Sequence, residues 1–421
     1  MEQVLTMKSE LISRLGKEEF GIFLRRATRG MHKAQRRLIG DMVWGILMSQ
    51  SVRLSKIARW VIGAGTQLLS RIKRLSGRLR GDWDNEPLQQ NHVHAMGAMV
   101  GTETSVVIDI SDIRKDRGEK FEYLCRIYDG STGETAKGYN VLTVTAVLGK
   151  GRQMPLYLAP YSTVAPGHKS ENTEILRAVE TVVSVIGTKG VWVGDRGFDN
   201  QWFFNELGQR GLRFLVCAYR DRRVIVDGVE ESVLAVVEGL RLEGFLHIGR
   251  RGTRKRSRDV RYGSCKVMLP DYWDAIRRIW VKQELWLLVV EGYRSDGKRT
   301  FFYTNVPLNE ADVCRRMVRR YADRWAVEEE IEFLKQRFQM EDVRVRSWRA
   351  IERVCLCVML AFAFLAWWVE RLSVKRKRLM PILCSTQSDL DPDAAFIYYR
   401  VQEALQLACA FVTALEVWKS A

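Results

Sequence analysis

The sequence has few of the residues that bind zinc: its 421 residues include five histidines and eight cysteines. The cysteines are scattered, and none forms a Cys-x-x-Cys pair. Zinc sites are built from closely spaced Cys and His ligands, so we expect no zinc site here. Scattered thiols in a long chain are typical of a reducing compartment, which indicates a cytoplasmic protein.

The sequence also lacks an apolar run long enough to cross a membrane. The run VCLCVMLAFAFLAWWV, residues 354–369, has sixteen residues between Arg353 and Glu370, whereas a membrane span needs about 20. We predict a buried core helix and no membrane partner, with a basic membrane-associated protein as the alternative. The first twenty residues contain acids and no long apolar core, so we expect no signal peptide.

Acidic residues are outnumbered: 50 Asp and Glu face 67 Lys and Arg, which gives a net charge of +17. Such an excess favours polyanionic partners, either nucleic acid or an anionic membrane. Residues 1–80 alone hold 17 Lys and Arg against 5 acids. A second cluster has seven basic residues, which are Arg250, Arg251, Arg254, Lys255, Arg256, Arg258 and Arg261. Both blocks suit binding to a phosphate backbone, although a solvated loop has the same composition.

The pattern of apolar residues divides the chain into four regions. They are a basic helical domain (1–85), an α/β core (100–219 and 307–350), a β-rich segment (220–306) and a C-terminal helical region (351–421). The polar stretch GDWDNEPLQQNH, around Pro87, is predicted to be a linker. A break in the C-terminal helices is predicted at residues 375–393. The core is predicted to contain three strands, a helix, a strand, a helix and a strand.

Two acidic residues at the ends of buried strands are candidates for a metal site. Asp109 follows the run SVVI, and Asp195 follows the run VWVG. An isolated acid at the end of a strand is usually an ordinary turn residue. Here both strands belong to the same predicted sheet, so the two carboxylates can converge at its edge.

A third acid can come from the segment YADRWAVEEEIEFLKQRF, which begins at Tyr321 and is predicted to be one helix. Each residue of a helix advances by about 100°. By this measure Tyr321, Arg324, Glu328 and Lys335 share an arc of about 60°. Basic residues and one glutamate therefore lie on the same face of the predicted helix.

The other glutamates of this segment differ in direction. Glu330 points to the opposite side of the predicted helix, and Glu329 is offset by about 80°. Both are most simply solvated or paired with nearby basic residues. Glu332 remains geometrically possible, so helical geometry leaves two candidates for the third acid, Glu328 and Glu332.

The ordered set of residues resembles the signature of the DDE transposases of bacterial insertion sequences, in the insertion-sequence-four-like group. That signature is Tyr, two residues, Arg, three residues, Glu, six residues and Lys. The matching residues are Tyr321, Arg324, Glu328 and Lys335. The resemblance also includes IDISDI around Asp109, VGDRGFDN around Asp195 and the run FFYTNVP, and it spans about residues 100–370.

The resemblance implies an RNase H-like core with a mostly β insertion at residues 220–306. It implies a catalytic triad of Asp109 on the first strand, Asp195 on the fourth and Glu328 on a helix. The triad is expected to bind two Mg²⁺ ions, for which Mn²⁺ can substitute, because Mg²⁺ prefers oxygen ligands. A pair of divalent cations about 3.5–4 Å apart stabilises the attacking and leaving oxygens of a phosphodiester.

The resemblance also implies a cut-and-paste transposase that hydrolyses DNA at terminal inverted repeats and joins the 3′-hydroxyl ends to target DNA. Arg324, Lys335 and Tyr321 are expected to contact the DNA backbone, and the cluster at residues 250–261 to follow flanking DNA or the DNA of the partner end. The basic helices of residues 1–85 are expected to bind the inverted repeats. A homodimer on DNA in the bacterial cytoplasm is expected. The alternative is a catalytically inactive DNA-binding protein or repressor derived from a transposase.

Overall fold

The computed structural model describes residues 2–61, 66–130, 132–149, 151–248, 257–293, 297–374 and 396–420. The break predicted at residues 375–393 lies outside them. In the described part of the chain, a 12-stranded sheet is flanked by helices. The predicted mixed α/β architecture is therefore confirmed.

The first part of the chain is helical. Its helices are α1 (Glu2–Ala27), α2 (Lys33–Ser49), α3 (Leu54–Ile57), α4 (Leu68–Arg80) and α5 (Glu86–Gly97), with a 3-10 turn at Ala58–Trp60. The prediction of a linker around Pro87 is wrong, because α5 begins there. Pro87 lies in the first turn of α5, where the backbone N–H that proline lacks has no helical partner to lose.

Five strands of the α/β core lie in the order β4-β3-β1-β5-β6, and a sixth, β2, also pairs with β3. In chain order the elements are β1 (Ser105–Arg114), β2 (Cys125–Asp129), β3 (Glu134–Gly149), β4 (Arg152–Tyr161), α6 (Glu171–Ile186), β5 (Val191–Gly194), α7 (Gln201–Gln209) and β6 (Arg213–Cys217). Strands β1, β5 and β6 are parallel, whereas β3 is antiparallel to β1 and β4. This order agrees with the RNase H-like core that the resemblance implies.

Residues 220–306 extend the core sheet. Their elements are β7 (Arg223–Val226), β8 (Val229–Ser232), α8 (Val233–Glu238), β9 (Gly244–Ile248), β10 (Arg258–Asp274), β11 (Ile279–Glu291) and β12 (Thr300–Thr304). Strand β12 pairs with β6 of the core on one side and with β11 on the other. The sheet therefore continues from the core into this segment without interruption.

Helices dominate the rest of the chain. They are α9 (Ala311–Tyr321), α10 (Trp325–Gln336), α11 (Trp348–Val374) and α12 (Tyr398–Ser420), with 3-10 turns at Ala322–Arg324 and Met340–Asp342. By length and composition alone, α11 is apolar enough to cross a membrane, but 94% of its most apolar stretch is buried within the protein. It packs against β4 and α2, and α1 packs against α12. The N-terminal and C-terminal helices thus share one hydrophobic core.

Candidate active site

The register of the sheet brings Asp109 and Asp195 together. Strands β1 and β5 are parallel neighbours in which Val107 pairs with Val193. Paired strands are about 4.8 Å apart, and each aspartate lies two residues beyond this last pair. Side chains two residues apart face the same side of a sheet, and Val107 and Val193 pack against Val327 of α10. Both aspartates are therefore directed to the side covered by α10.

A tight turn positions Asp195 after β5. Its Oδ1 accepts a hydrogen bond of 2.8 Å from the backbone N–H of Gly197, which caps the short 3-10 helix Arg196–Phe198. Gly194 passes so close to Phe198 that a Cβ at position 194 would lie 2.9 Å from the Phe198 Cβ. The location of the Asp195 carboxylate therefore depends on a glycine immediately before it.

Asp109 is buried near two other acidic residues, Asp195 and Glu328. Burial, and then the charge of Asp195, raises the pKa of Asp109 to about 7, and Glu328 adds a smaller contribution of the same sign. Arg324 and a 3.0 Å hydrogen bond from the Ile110 N–H lower it. Asp195 and Glu328 are thus both within electrostatic reach of Asp109.

The segment that contains Glu328 is two helices joined by a 3-10 turn, so the prediction of one continuous helix is wrong. Helix α9 ends at Tyr321, and α10 begins at Trp325. Tertiary contacts hold this turn in place. The centroids of the Tyr321 and Phe302 rings lie 4.3 Å apart. The Asp323 carboxylate accepts a 2.6 Å hydrogen bond from the Ser105 hydroxyl. Helical periodicity cannot indicate such tertiary contacts.

Arg324 is the partner of Glu328. Its Nη2 lies 2.5 Å from the Glu328 Oε1. Burial opposes the charge of Arg324, but Glu328, Tyr321 and Asp109 together raise its pKa above the ordinary value. The guanidinium also lies 5.4 Å from the centroid of the Trp325 ring. A charged arginine is therefore fixed beside Glu328 and offsets part of the negative charge of the site.

The other two residues of the signature, Tyr321 and Lys335, also make contacts of their own. The centroid of the Tyr321 ring lies 5.8 Å from the Arg324 guanidinium. The half-buried Tyr321 ring packs against Phe302 of β12. Lys335 lies 3.3 Å from Asp112 of β1 and 3.2 Å from Glu341, measured from Nζ to carboxylate oxygens. Tyr321 therefore joins the end of α9 to the extended sheet, and Lys335 joins α10 to β1.

The acids are chemically suited to a divalent cation but are not arranged as a ligand set. Their oxygens suit Mg²⁺ or Mn²⁺, and a cation would relieve the repulsion that raises the pKa of Asp109. Within the ranges that the structure describes, no three His, Cys, Asp or Glu side chains are grouped closely enough to hold a metal ion. For the three acids to hold a cation together, Glu328 would have to leave its ion pair with Arg324.

Glu330 is buried, contrary to the prediction of a solvated or salt-bridged residue. It is fully enclosed and accepts a 2.7 Å hydrogen bond from Thr145 Oγ1 of β3. Burial raises its pKa to about 8. Glu330 follows buried Val327 by three positions and precedes buried Leu334 by four, so it falls within the apolar repeat of α10. The apolar repeat of α10 was therefore the sequence signal that could have predicted a buried Glu330.

The structure gives no position for most of the second basic cluster. Arg250, Arg251, Arg254, Lys255 and Arg256 lie outside the described residues. The same holds for the side chain of Arg258, whose backbone begins β10. Contacts of this cluster with DNA remain a prediction.

Two neighbouring strands and one packed helix deliver three acids to the same side of an α/β sheet, the layout of a protein with an acidic active site. The chain belongs to the family described as "Transposase DDE domain", whose model matches residues 102–364. This confirms the expected DDE transposase at the level of the family. No curated protein matches the chain.

The chain is also similar to a solved structure, the piggyBac transposase in a synaptic complex with hairpin DNA. The two share 12% sequence identity, with a TM-score of 0.46. The similarity covers 98% of this chain and 81% of that chain.

Proposed function

We propose that this protein is an active insertion-sequence-four-like transposase. It binds the terminal inverted repeats of its mobile element, cleaves the DNA ends by divalent-metal-dependent hydrolysis, and joins the 3′-hydroxyl ends to target DNA. The observation that carries the proposal is that the parallel strands β1 and β5 bring Asp109 and Asp195 together on the side of the sheet covered by α10, the helix of Glu328. Acids held together against their repulsion are typical of functional sites. Membership of the transposase DDE family supports the reaction class.

Each polar residue of the site has a proposed role. The ligands of two divalent cations, Mg²⁺ or Mn²⁺, are Asp109, Asp195 and Glu328. When bound, the cations supply Lewis-acid stabilisation of the attacking and leaving oxygens. Arg324 releases Glu328 and binds a DNA phosphate next to the cut, and Lys335 binds a second phosphate beside β1. Tyr321, which ends α9 and packs against Phe302 of β12, supports the DNA backbone.

Recognition of DNA is assigned to basic regions outside the triad. The helices of residues 1–85 contact the inverted repeats, since residues 1–80 have 17 basic residues against 5 acids. Residues 250–258 follow flanking DNA. Two copies of the chain hold the two ends of the element, and the protein acts on nucleoid DNA in the bacterial cytoplasm.

Replacement of one aspartate tests the function. The probe is a plasmid in which the DNA that flanks this reading frame brackets a marker. We expect the wild type to cut it with Mg²⁺ or Mn²⁺, and Asp195→Asn to bind it without cutting. The exposed Asp312, on α9, gives a matched control in Asp312→Asn, which should cut normally. The melting temperature of the DNA-free protein provides a second measurement, since Mn²⁺ should raise it in the wild type and not in Asp195→Asn. Retained cutting by Asp195→Asn would remove this residue from the mechanism.

A catalytically inactive DNA-binding protein or repressor is the second candidate. The ion pair between Arg324 and Glu328 favours it, because the third acid is already neutralised. The same experiment separates the two functions. A wild-type protein that binds the element's ends, shows no cutting and is not stabilised by Mn²⁺ is the repressor.

A further inference from the structure

We propose that a cleft beside α4 binds the sugar–phosphate backbone of duplex DNA and connects the N-terminal helices to the active site. The α4 cleft lies between α3, α4 and residues 344–347, and it has a volume of about 690 Å³. The inference rests on the proposed function. It adds a contact surface formed by two distant parts of the chain, one of which lies outside the basic N-terminal region.

The charge of the α4 cleft suits a polyanion. Four arginines line it together with one acid, Glu122, and these arginines are Arg53, Arg80, Arg344 and Arg346. Arg53 and Arg344 share the carboxylate of Asp342. Arg80 and Arg346 are exposed, and no acid lies within salt-bridge distance of either among the residues that the structure describes. Two guanidinium groups are therefore available for anionic groups of a ligand.

The remaining lining fits a nucleic-acid backbone better than a small anion. Ser55 and Ser76 also line the cleft, and serine hydroxyl groups commonly donate to phosphate oxygens. Its lining includes apolar residues as well, among them Ile72 and Val345. A backbone in which sugars alternate with phosphates offers both kinds of surface, whereas a free phosphate ion would leave the apolar lining without a partner.

Strand β1 links the cleft to the active site. It begins before Asp109 and ends at Arg114, whose N–H donates to Glu341 at 3.4 Å. The next residue, Lys115, donates to the Val343 carbonyl at 2.8 Å. Five residues of strand span about 17 Å, which is the length of about five base pairs of DNA. One duplex can therefore contact both the acids and the cleft.

The test measures how binding depends on salt. The probe is a fluorescein-labelled duplex of random sequence and about 30 base pairs, or three helical turns. Anisotropy titrations from about 50 to 200 mM salt give the slope of log K against log salt concentration. We expect the double variant Arg80→Gln/Arg346→Gln to reduce the magnitude of this slope by about 2, or nearly one for each phosphate that the protein no longer neutralises.

The control is the double variant Arg177→Gln/Arg223→Gln, which removes the same charge. Both arginines are exposed and each is paired with an acid, Glu174 or Glu230. We expect the control to keep the wild-type slope, and both double variants to keep the wild-type melting temperature. A wild-type slope in the cleft variant would overturn the cleft proposal. The transposase function would still be tested separately, by the cutting assay.

Two further outcomes would also overturn the proposal that the α4 cleft binds DNA. If the wild-type protein does not bind the duplex at all, both the cleft proposal and the proposed function are wrong. Inorganic phosphate, added at constant ionic strength, tests for a small-anion site. If phosphate raises the melting temperature of the wild type and not of Arg80→Gln/Arg346→Gln, while the two proteins have the same salt slope for the duplex, the cleft binds a free anion and not DNA.

Discussion

Asp195 owes its position to a neighbour that has no side chain. Gly194 lets Phe198 fold back against the end of β5, and the resulting turn points the Asp195 carboxylate to the Gly197 N–H. The sequence indicated the aspartate from the strand before it, but not the glycine contact, because that contact joins residues four positions apart in a turn without a periodic pattern.

Gly194→Ala tests this dependence. The new Cβ would lie 2.9 Å from the Phe198 Cβ, so the turn must shift. We expect a loss of about 1–3 kcal/mol in the free energy of unfolding, measured with urea, and a weaker stabilisation by Mn²⁺. Gly208 has no neighbour within 4 Å of the added Cβ, so Gly208→Ala in α7 should be neutral or stabilising by up to about 1 kcal/mol. Equal stability of the two variants would contradict the explanation.

His92 should make the free energy of unfolding sensitive to acid. Burial lowers its pKa to about 4, and its Nε2 lies 2.9 Å from the Pro155 carbonyl oxygen. The unfolded chain, in which the pKa is about 6.5, therefore takes up the proton first as the pH falls. The contribution of His92 is complete above about pH 6.5 and decreases by about 3 kcal/mol towards pH 4.

Urea unfolding between these pH values measures the effect. His92→Gln, which cannot titrate, should flatten the dependence of stability on pH. The exposed His94, two positions along α5, is the matched comparison, and His94→Gln should keep the wild-type dependence. An unchanged slope in His92→Gln would show that other groups cause the acid sensitivity.

At the scale of elements, strands buried on both faces were predictable and elements fixed by tertiary contacts were not. The β-branched runs of β1, β3 and β5 have few alternatives to a buried strand. By contrast, β8 and α8 have four and six residues and show too little pattern to be recognised. The 3-10 turn before α10 lies in a run whose helical propensity is uninterrupted. Its cause is contact with β1 and β12, which are distant in sequence.

Helix α10 packs on the sheet partly through one buried polar pair, Thr145 and Glu330. Thr145→Val removes the hydroxyl donor and leaves the buried acid without this hydrogen bond. We expect the free energy of unfolding to fall by about 1–3 kcal/mol. The double variant Thr145→Val/Glu330→Leu replaces both polar groups and should recover most of the loss. A double variant as unstable as the single one would show that the pair does not connect α10 to β3 in this way.

At the scale of the whole molecule, Arg353 fastens the C-terminal helices to the N-terminal ones. It is buried in α11 and donates at 2.6 Å to the carbonyl groups of Leu79 and Gly81, where α4 ends, and to the Trp83 carbonyl. Its guanidinium lies 3.9 Å from the centroid of the Trp83 ring. Composition alone divided these helices into separate regions, since an arginine in an apolar run does not reveal its distant acceptors.

Arg353→Met should therefore destabilise the whole protein. It leaves several buried carbonyl groups without donors, and we expect a loss of about 3 kcal/mol in the free energy of unfolding. Arg349, one turn earlier, pairs with the exposed Asp82, so Arg349→Met should cost at most about 1 kcal/mol. Far-UV circular dichroism and tryptophan fluorescence should report one transition in the wild type. Similar losses in the two variants would contradict the role of Arg353.

The long segment between β6 and β12 separates the third acid of the site from the first two during synthesis of the chain. Asp109 and Asp195 are translated well before Glu328, which comes 133 positions after Asp195. At roughly 5–20 residues per second, a ribosome needs on the order of ten seconds to cover that interval. Throughout it the nascent polypeptide has two of the three acids. Under the proposed mechanism, the nascent chain therefore lacks the full set of catalytic acids until Glu328 has been translated.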